Sequence, residues 1–68
     1  MIKVNDDVLD WKDGMTVVDL LNLMEYPEYN FPIMVVSING KHIPNDKYAE
    51  TLISKGDEVK VMQPLAGG

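Results

Sequence analysis

The sequence predicts an α+β fold in which one main helix packs on one face of a mixed sheet of four to five strands. Short β-prone segments bounded by turn residues lie at both ends of the chain, and one segment between them has apolar residues at helical spacing. The length of 68 residues suits one domain with a small core. Hydrophobic residues make up 46% and charged residues 25%, a composition typical of globular proteins.

The start of the chain predicts a β-hairpin. Met1 to Val4 forms a first strand with two apolar residues on one face, and Asn5-Asp6-Asp7 forms the turn. Val8 to Trp11 returns as a second strand, and Lys12-Asp13-Gly14 ends it.

The next segment predicts the helix. Thr16 is followed three residues later by Asp19, which is a capping-box pattern at a helix start. Tyr26-Pro27 is expected to stop the helix, because proline disfavours helical backbone in the residue before it. One apolar stripe, expected to face the core, consists of Val17, Leu20, Leu21 and Met24.

The second half predicts three more strands. Ile33 to Ile38 is nearly all apolar, like a central strand, and Asn39-Gly40 is a strong hairpin signal before the short strand Lys41 to Ile43. Residues 44–54 are expected to cover the core as a short helical turn or irregular segment, with Tyr48, Leu52 and Ile53 as its apolar residues. Glu58 to Val61 alternates polar and apolar residues as a final strand.

The loop from Glu25 to Pro32 contains two prolines, two tyrosines and Phe31. Its aromatic side chains either pack over one end of the core or form a recognition surface. We favour packing, because aromatic residues bury large areas.

This order of elements indicates a β-grasp, or ubiquitin-like, arrangement. Two hairpins flank one helix, and the crossover through the helix allows the first and last strands to lie side by side and parallel. We therefore expect a domain over residues 1–63 and a flexible tail over residues 64–68.

Composition excludes several classes of function. The chain lacks cysteine, so disulfides and thiolate chemistry are excluded. Its net charge of −5 argues against nucleic acid and anionic membranes as partners. The start of the chain lacks the apolar region of a signal peptide, and no apolar run approaches the ~20 residues that span a bilayer. We expect a cytoplasmic protein that is a monomer on its own.

Catalytic patterns are also missing. The single histidine, His42, follows a tight turn, so we expect a surface residue and no metal site. Asp6-Asp7 and Asp57-Glu58 sit at turns and are expected to be solvated, since a catalytic carboxylate needs a cleft that shifts its pKa. We therefore expect a protein without catalytic residues or a bound cofactor.

The segment Gln63 to Gly68 remains as the candidate site. An α-carboxylate at Gly68 is a poor electrophile, and its activation requires a partner that forms an acyl-adenylate with ATP. A sulfur donor then displaces AMP and leaves a thiocarboxylate. Pro64 to Gly68 reaches about 16 Å when extended at about 3.3 Å per residue, enough to enter a partner's active site. Gly67 and Gly68 have no Cβ, which suits a narrow cleft.

The chain resembles the ubiquitin-fold sulfur carriers, most closely the thiamine-pathway family ThiS, with the small subunit of molybdopterin synthase, MoaD, as a cousin. The likeness covers nearly the whole chain. Its densest positions are Ile38-Asn39-Gly40, Ile43-Pro44, Tyr48, Leu52, Gly56-Asp57-Glu58-Val59 and Ala66-Gly67-Gly68.

This resemblance implies a protein co-substrate whose Gly68 is adenylated by an enzyme of the ubiquitin-activating type and then thiocarboxylated. The implied partners are that enzyme, a sulfur donor enzyme and thiazole synthase or another sulfur acceptor. The loop from Glu25 to Pro32 departs from the family pattern, which leaves the acceptor open.

Residues next to the tail are candidates for docking. Alternation along the last strand turns Met62 outward if Val59 and Val61 face inward, although irregularity at the strand end would tuck Met62 back. An outward methionine offers a soft apolar contact. We take Met62, Pro64 and Leu65 as candidate docking residues, and Leu65, Ala66 and Gly67 as the part that enters the partner's active site.

Three other functions remain open at this point. The first is the small subunit of a sulfur-inserting synthase such as molybdopterin synthase. The second is a ubiquitin-like modifier joined through Gly68 to lysines of target proteins. The third is a binding module in which the Gly-Gly sequence is incidental.

Overall fold

The structure is a computed structural model of the chain, and it describes residues 1–63. Within this range the strands are β1 (Ile2–Val4), β2 (Asp7–Leu9), β3 (Val35–Ile38), β4 (Lys41–Ile43) and β5 (Glu58–Met62). The helix α1 spans Val17–Leu23, and two 3₁₀ turns span Glu28–Ile33 and Asn45–Lys47. The predicted tail, residues 64–68, lies outside the described residues.

The five strands form one mixed sheet in the order β2-β1-β5-β3-β4. The first and last strands, β1 and β5, are parallel neighbours, and the other three pairs of neighbours are antiparallel. The sheet and its single main helix have the predicted β-grasp arrangement.

The helix begins as its sequence predicts. The backbone N–H of Asp19 donates to Thr16 Oγ1 at 3.2 Å, and the N–H of Thr16 donates to Asp19 Oδ2 at 3.0 Å. These two bonds form the capping box and satisfy donors that a helix start leaves unpaired.

The helix ends before Tyr26-Pro27, the predicted stop, and for a different physical reason. Its last residue is Leu23, and Glu25 has a φ of +66°, which a right-handed helix cannot continue. The N–H of Tyr26 then donates to the carbonyl oxygen of Leu21 at 3.1 Å. A left-handed residue after the last turn is thus the stop, with the proline two residues beyond it.

The core lies between α1 and one face of the sheet. Three residues of the predicted helical stripe are buried and Met24 is half-buried against the core, so the predicted inward face of the helix is confirmed. The sheet contributes Ile2, Val4, Val36, Ile43, Val59 and Val61 to this core. Since β3 and β5 lie inside the sheet, the long apolar run before Asn39 is a central strand, as predicted.

Two predicted strands differ from the observed ones by two residues at one end. Strand β2 begins at Asp7 and ends at Leu9, because Trp11 turns away from the sheet and its Nε1–H donates to the carbonyl oxygen of Ile53 at 2.7 Å. Strand β3 begins at Val35 instead of Ile33, because the preceding 3₁₀ turn extends through Ile33.

The loop of residues 25–32 packs on the core in part. Tyr26 and Phe31 are half-buried against the core, whereas Tyr29 is 83% exposed. The Phe31 ring meets the ring of Tyr48 edge to face, with centroids 6.5 Å apart. The packing that the sequence predicts is therefore confirmed for two of the three aromatic side chains.

Residues 44–54 cover the core through a 3₁₀ turn and irregular backbone, as predicted. Tyr48 and Ile53 are buried, but Leu52 is 63% exposed. The Tyr48 hydroxyl donates to the carbonyl oxygen of Met34 at 2.9 Å, which ties this segment to the start of β3.

Candidate functional site at the end of the last strand

Strand β5 leads directly to the predicted tail. On one side it pairs with β3 up to Met62, which lies opposite Val35. On the other side its parallel pairing with β1 stops earlier, where Val4 lies opposite Val59. The last three residues of β5 therefore need another partner on the β1 side.

The side chain of Asn5 supplies that partner. Its Nδ2–H donates to the carbonyl oxygen of Val61 at 3.3 Å, and its Oδ1 accepts from the N–H of Val61 at 3.0 Å. The backbone N–H of Asn5 donates to the carbonyl oxygen of Val59 at 2.9 Å. The asparagine amide thus extends the pairing along β5 from Val59 to Val61 and holds the strand just before the tail.

The turn conformation places this amide. Asn5 has a φ of +54°, a left-handed conformation that asparagine tolerates better than most residues. Sequence reasoning places Asn5 in the hairpin turn but misses its bonds to β5. An asparagine in a very short turn is the signal for such a role, because its amide mimics a peptide group.

An apolar pair lies beside the strand end on the sheet face opposite the helix. Met62 is 65% exposed, and its neighbour across the strands, Val35, is 41% exposed. Val59 and Val61 are buried and the alternation in β5 continues to its end, so Met62 faces outward, which is one of the two positions that the sequence leaves open. Sequence reasoning does not identify Val35, since an apolar run gives no signal of which residues face out.

The remainder of this outer face is mainly polar. Lys3 Nζ lies 3.7 Å from Glu58 Oε2 in an exposed ion pair, and such pairs add little stability. His42 is exposed on β4 opposite Ser37. The apolar pair at the tail end therefore stands out from its surroundings.

Five of the predicted site residues lie outside the described residues: Pro64, Leu65, Ala66, Gly67 and Gly68. The sixth, Met62, lies at the end of β5, one residue before the half-buried Gln63. The structure thus shows the strand end from which the candidate site begins, and the role of Gly68 stays a prediction.

Other chemistry in residues 1–63 is limited. In this range, no three His, Cys, Asp or Glu side chains lie close enough together to hold a metal ion, and no charged side chain is buried. Burial raises the pKa of the Tyr48 hydroxyl, but this residue is part of the core. None of the helices described in this range is long and apolar enough to cross a bilayer.

Known proteins match this chain over nearly all of its residues. The ThiS family model matches residues 1–68. The chain is 27% identical over 67 residues to the sulfur carrier protein ThiS of Escherichia coli (strain K12), covering 98% of this chain and 97% of that protein.

Two solved structures have the same fold. The crystal structure of thiamine biosynthesis protein ThiS from Geobacter metallireducens gives a TM-score of 0.74 at 22% identity, covering 98% of this chain and 97% of that one. A solution structure of a thiamine biosynthesis protein from the same organism gives a TM-score of 0.76 at 22% identity, covering 98% and 86%. The family model extends over the whole chain, and on that ground the chain belongs to the ThiS family.

Proposed function

We propose that this chain carries sulfur as a thiocarboxylate on Gly68 and delivers it for thiazole formation in thiamine biosynthesis. The observation that carries the proposal is that the end of β5, directly before the tail, is hydrogen-bonded on both sides. Asn5 and β3 hold β5 from both sides up to its last residues, directly before a segment that ends in Gly-Gly. Membership of the ThiS family over residues 1–68 supports the same function.

The chemistry belongs to partner enzymes. The Gly68 carboxylate attacks the α-phosphorus of ATP, and pyrophosphate leaves. Hydrosulfide then attacks the acyl carbon, and AMP leaves with the electron pair of the broken C–O bond. The product is a thiocarboxylate, a good nucleophile attached to a body that a second enzyme recognises.

In this scheme the chain is a co-substrate. Its β-grasp body gives partners a rigid surface, while the tail reaches their active sites. We further propose that Met62 and Val35 form the docking surface beside the tail, together with Pro64 and Leu65. The exposed areas of Met62 and Val35 lose contact with water on docking, which stabilises the complex.

The function is tested by intact mass measurement. The protein is incubated with ATP, inorganic sulfide and an adenylating enzyme of the ubiquitin-activating type. A mass gain equal to one oxygen-for-sulfur exchange is expected, with none in a variant lacking Gly68. ATP–pyrophosphate exchange in the same mixture reports adenylation separately. Adenylation without sulfur uptake, followed by conjugates on lysines, would instead assign the chain as a protein modifier.

The docking surface is tested by changing one apolar residue to a charged one. Met62→Asp is expected to weaken binding to the adenylating enzyme about tenfold or more, because burying an unpaired carboxylate is costly. Leu52→Asp is the matched control, since Leu52 is 63% exposed and lies outside the five strands, in the segment of residues 44–54. Equal affinity of the Met62→Asp variant and the unchanged protein would remove Met62 from the docking surface.

A further inference from the structure

A second surface lies on the opposite side of the sheet from Met62. It is a groove of about 890 Å³ lined by strand β2, helix α1 and the connection of residues 10–15. We call it the helix–edge groove. Its floor is apolar: Leu9 and Met24 are half-buried, and Leu23 is 56% exposed.

The rim of the helix–edge groove is acidic. Asp7, Asp10, Asp13 and Asp19 line it against the single cation Lys12. All four aspartates are exposed, and neither ion pair formed within residues 1–63 involves them. The groove therefore combines exposed apolar area with a net negative charge that no lysine of the described chain neutralises by contact.

The position of β2 determines the shape of an occupant. Strand β2 is at the edge of the sheet, so one row of its backbone N–H and C=O groups faces away from β1. An extended chain can pair with such an edge and direct alternate side chains into the neighbouring groove. An occupant of this kind needs an apolar side chain for the floor and cations for the rim.

Charge decides between the candidate occupants. A second copy of this chain carries the same net charge of −5 and meets repulsion at the acidic rim. The segment 64–68 has no basic residue to complement the rim. A basic segment of another protein complements the rim.

We propose that the helix–edge groove binds an extended basic segment of a partner protein, with one large apolar side chain on the floor and lysine or arginine on either side of it. The apolar side chain contacts Leu9 and Leu23, and the flanking cations lie at the rim aspartates. The proposal does not rest on the sulfur chemistry, because the groove and Met62 lie on opposite sides of the sheet and binding here requires no ATP.

The test uses a synthetic peptide and the intact, isotope-labelled protein. The probe is a capped pentapeptide with leucine between two pairs of lysines, and one control peptide has glutamates in place of the lysines. Backbone amide shifts in NMR spectra are expected to be confined to residues 4–24 on titration with the lysine peptide, and to be absent with the glutamate peptide. Shifts spread evenly over the surface, or no shifts at all, would overturn the proposal.

Two matched pairs of variants separate the floor from the rim. Leu23→Ser is expected to weaken binding about fivefold through lost apolar contact, whereas Leu52→Ser changes a residue that is equally exposed elsewhere and leaves binding unchanged. The double change Asp10→Asn with Asp13→Asn is expected to weaken binding about fivefold and to reduce its salt dependence. Asp46→Asn with Glu28→Gln removes the same charge outside the groove.

These controls decide the outcome. The six substituted positions in these four variants are all exposed, so all variants are expected to fold. If Asp46→Asn with Glu28→Gln weakens binding as much as Asp10→Asn with Asp13→Asn, the peptide responds only to net charge and the groove is not its site. If Leu52→Ser weakens binding as much as Leu23→Ser, the apolar floor is not its contact.

Discussion

Two hairpin turns hold the central strand β5, one at each end, and both do so through an asparagine. At its beginning, Asn39 Oδ1 accepts from the N–H of Glu58 and Asn39 Nδ2–H donates to Asp57 Oδ1, each at 3.0 Å. At its end, the amide of Asn5 bonds to both backbone groups of Val61. Both asparagines have positive φ, +52° and +54°.

The two turns differ in their surroundings. The bonds of Asn39 are exposed to solvent, whereas those of Asn5 are partly buried. Asn39 is followed by Gly40, also at positive φ, so the backbone itself specifies a tight hairpin. Asn5 has no glycine after it, and its amide replaces a missing strand residue. The end of β5 that carries the tail therefore depends more on a side chain than the beginning does.

Among changes to the hydrogen bonds that hold β5, Asn5→Gly is expected to have the largest effect on the free energy of unfolding. Glycine tolerates the φ of +54°, so the change removes the two side-chain bonds without adding backbone strain. We expect a loss of about 2 kcal/mol in the free energy of unfolding, at about 1 kcal/mol per hydrogen bond. Urea denaturation measures it.

Hydrogen exchange locates this effect. In the Asn5→Gly variant, the Val61 amide is expected to exchange faster relative to Glu58, because its acceptor is Asn5 Oδ1. Equal acceleration at both amides would mean that the asparagine stabilises the whole domain and not the tail end in particular.

A second, somewhat smaller effect is expected from Tyr48→Phe. The change removes the bond to the carbonyl oxygen of Met34, next to the strand that pairs with Met62, and should cost about 1–2 kcal/mol for a buried acceptor left unpaired. Urea denaturation at neutral pH measures this loss.

The same variant has an expected pH signature. Burial raises the pKa of the Tyr48 hydroxyl above its usual value of 10.0, so the neutral form is favoured in the folded state. The contribution of the neutral Tyr48 hydroxyl to the free energy of unfolding is therefore complete below pH 10. It is lost as the pH rises through the pKa of the folded state. Tyr48→Phe should therefore show a smaller loss of stability above pH 10. If the unchanged protein and the Tyr48→Phe variant lose stability equally above pH 10, groups other than Tyr48 cause the alkaline loss.

The smallest effect is expected from Asn39→Gly. The variant keeps the hairpin, because glycine suits both central turn positions, and water replaces the exposed bonds to Glu58 and Asp57. We expect a loss below about 1 kcal/mol by urea denaturation. A loss as large as that of Asn5→Gly would show that solvent exposure does not distinguish the two turns.

Local signals in the sequence were sufficient for much of the fold. The capping pattern of Thr16 and Asp19 predicted the helix start, and Asn39-Gly40 predicted the second hairpin. Each of these depends on residues within a few positions of one another, where backbone sterics and short hydrogen bonds decide the conformation. The order of the elements then predicted parallel pairing of β1 and β5.

Features that depend on distant residues were not predictable in this way. The Asn5 amide bonds to Val61, 56 positions later in the sequence. The Trp11 Nε1–H donates to the carbonyl oxygen of Ile53, 42 positions later. Leu52 is expected among the apolar residues that cover the core, yet it is 63% exposed. The helix–edge groove likewise exists only once β2 and α1 are placed next to each other.

The sequence by itself therefore determined the type of each main element, the inward face of the helix and the likeness to the ThiS family, because periodicity and turn chemistry are local. The tertiary structure decided which side chains complete the pairing of β5, which apolar residues stay in contact with water and where acidic side chains converge. These depend on close packing between segments far apart in the chain, and only the folded chain brings those segments together.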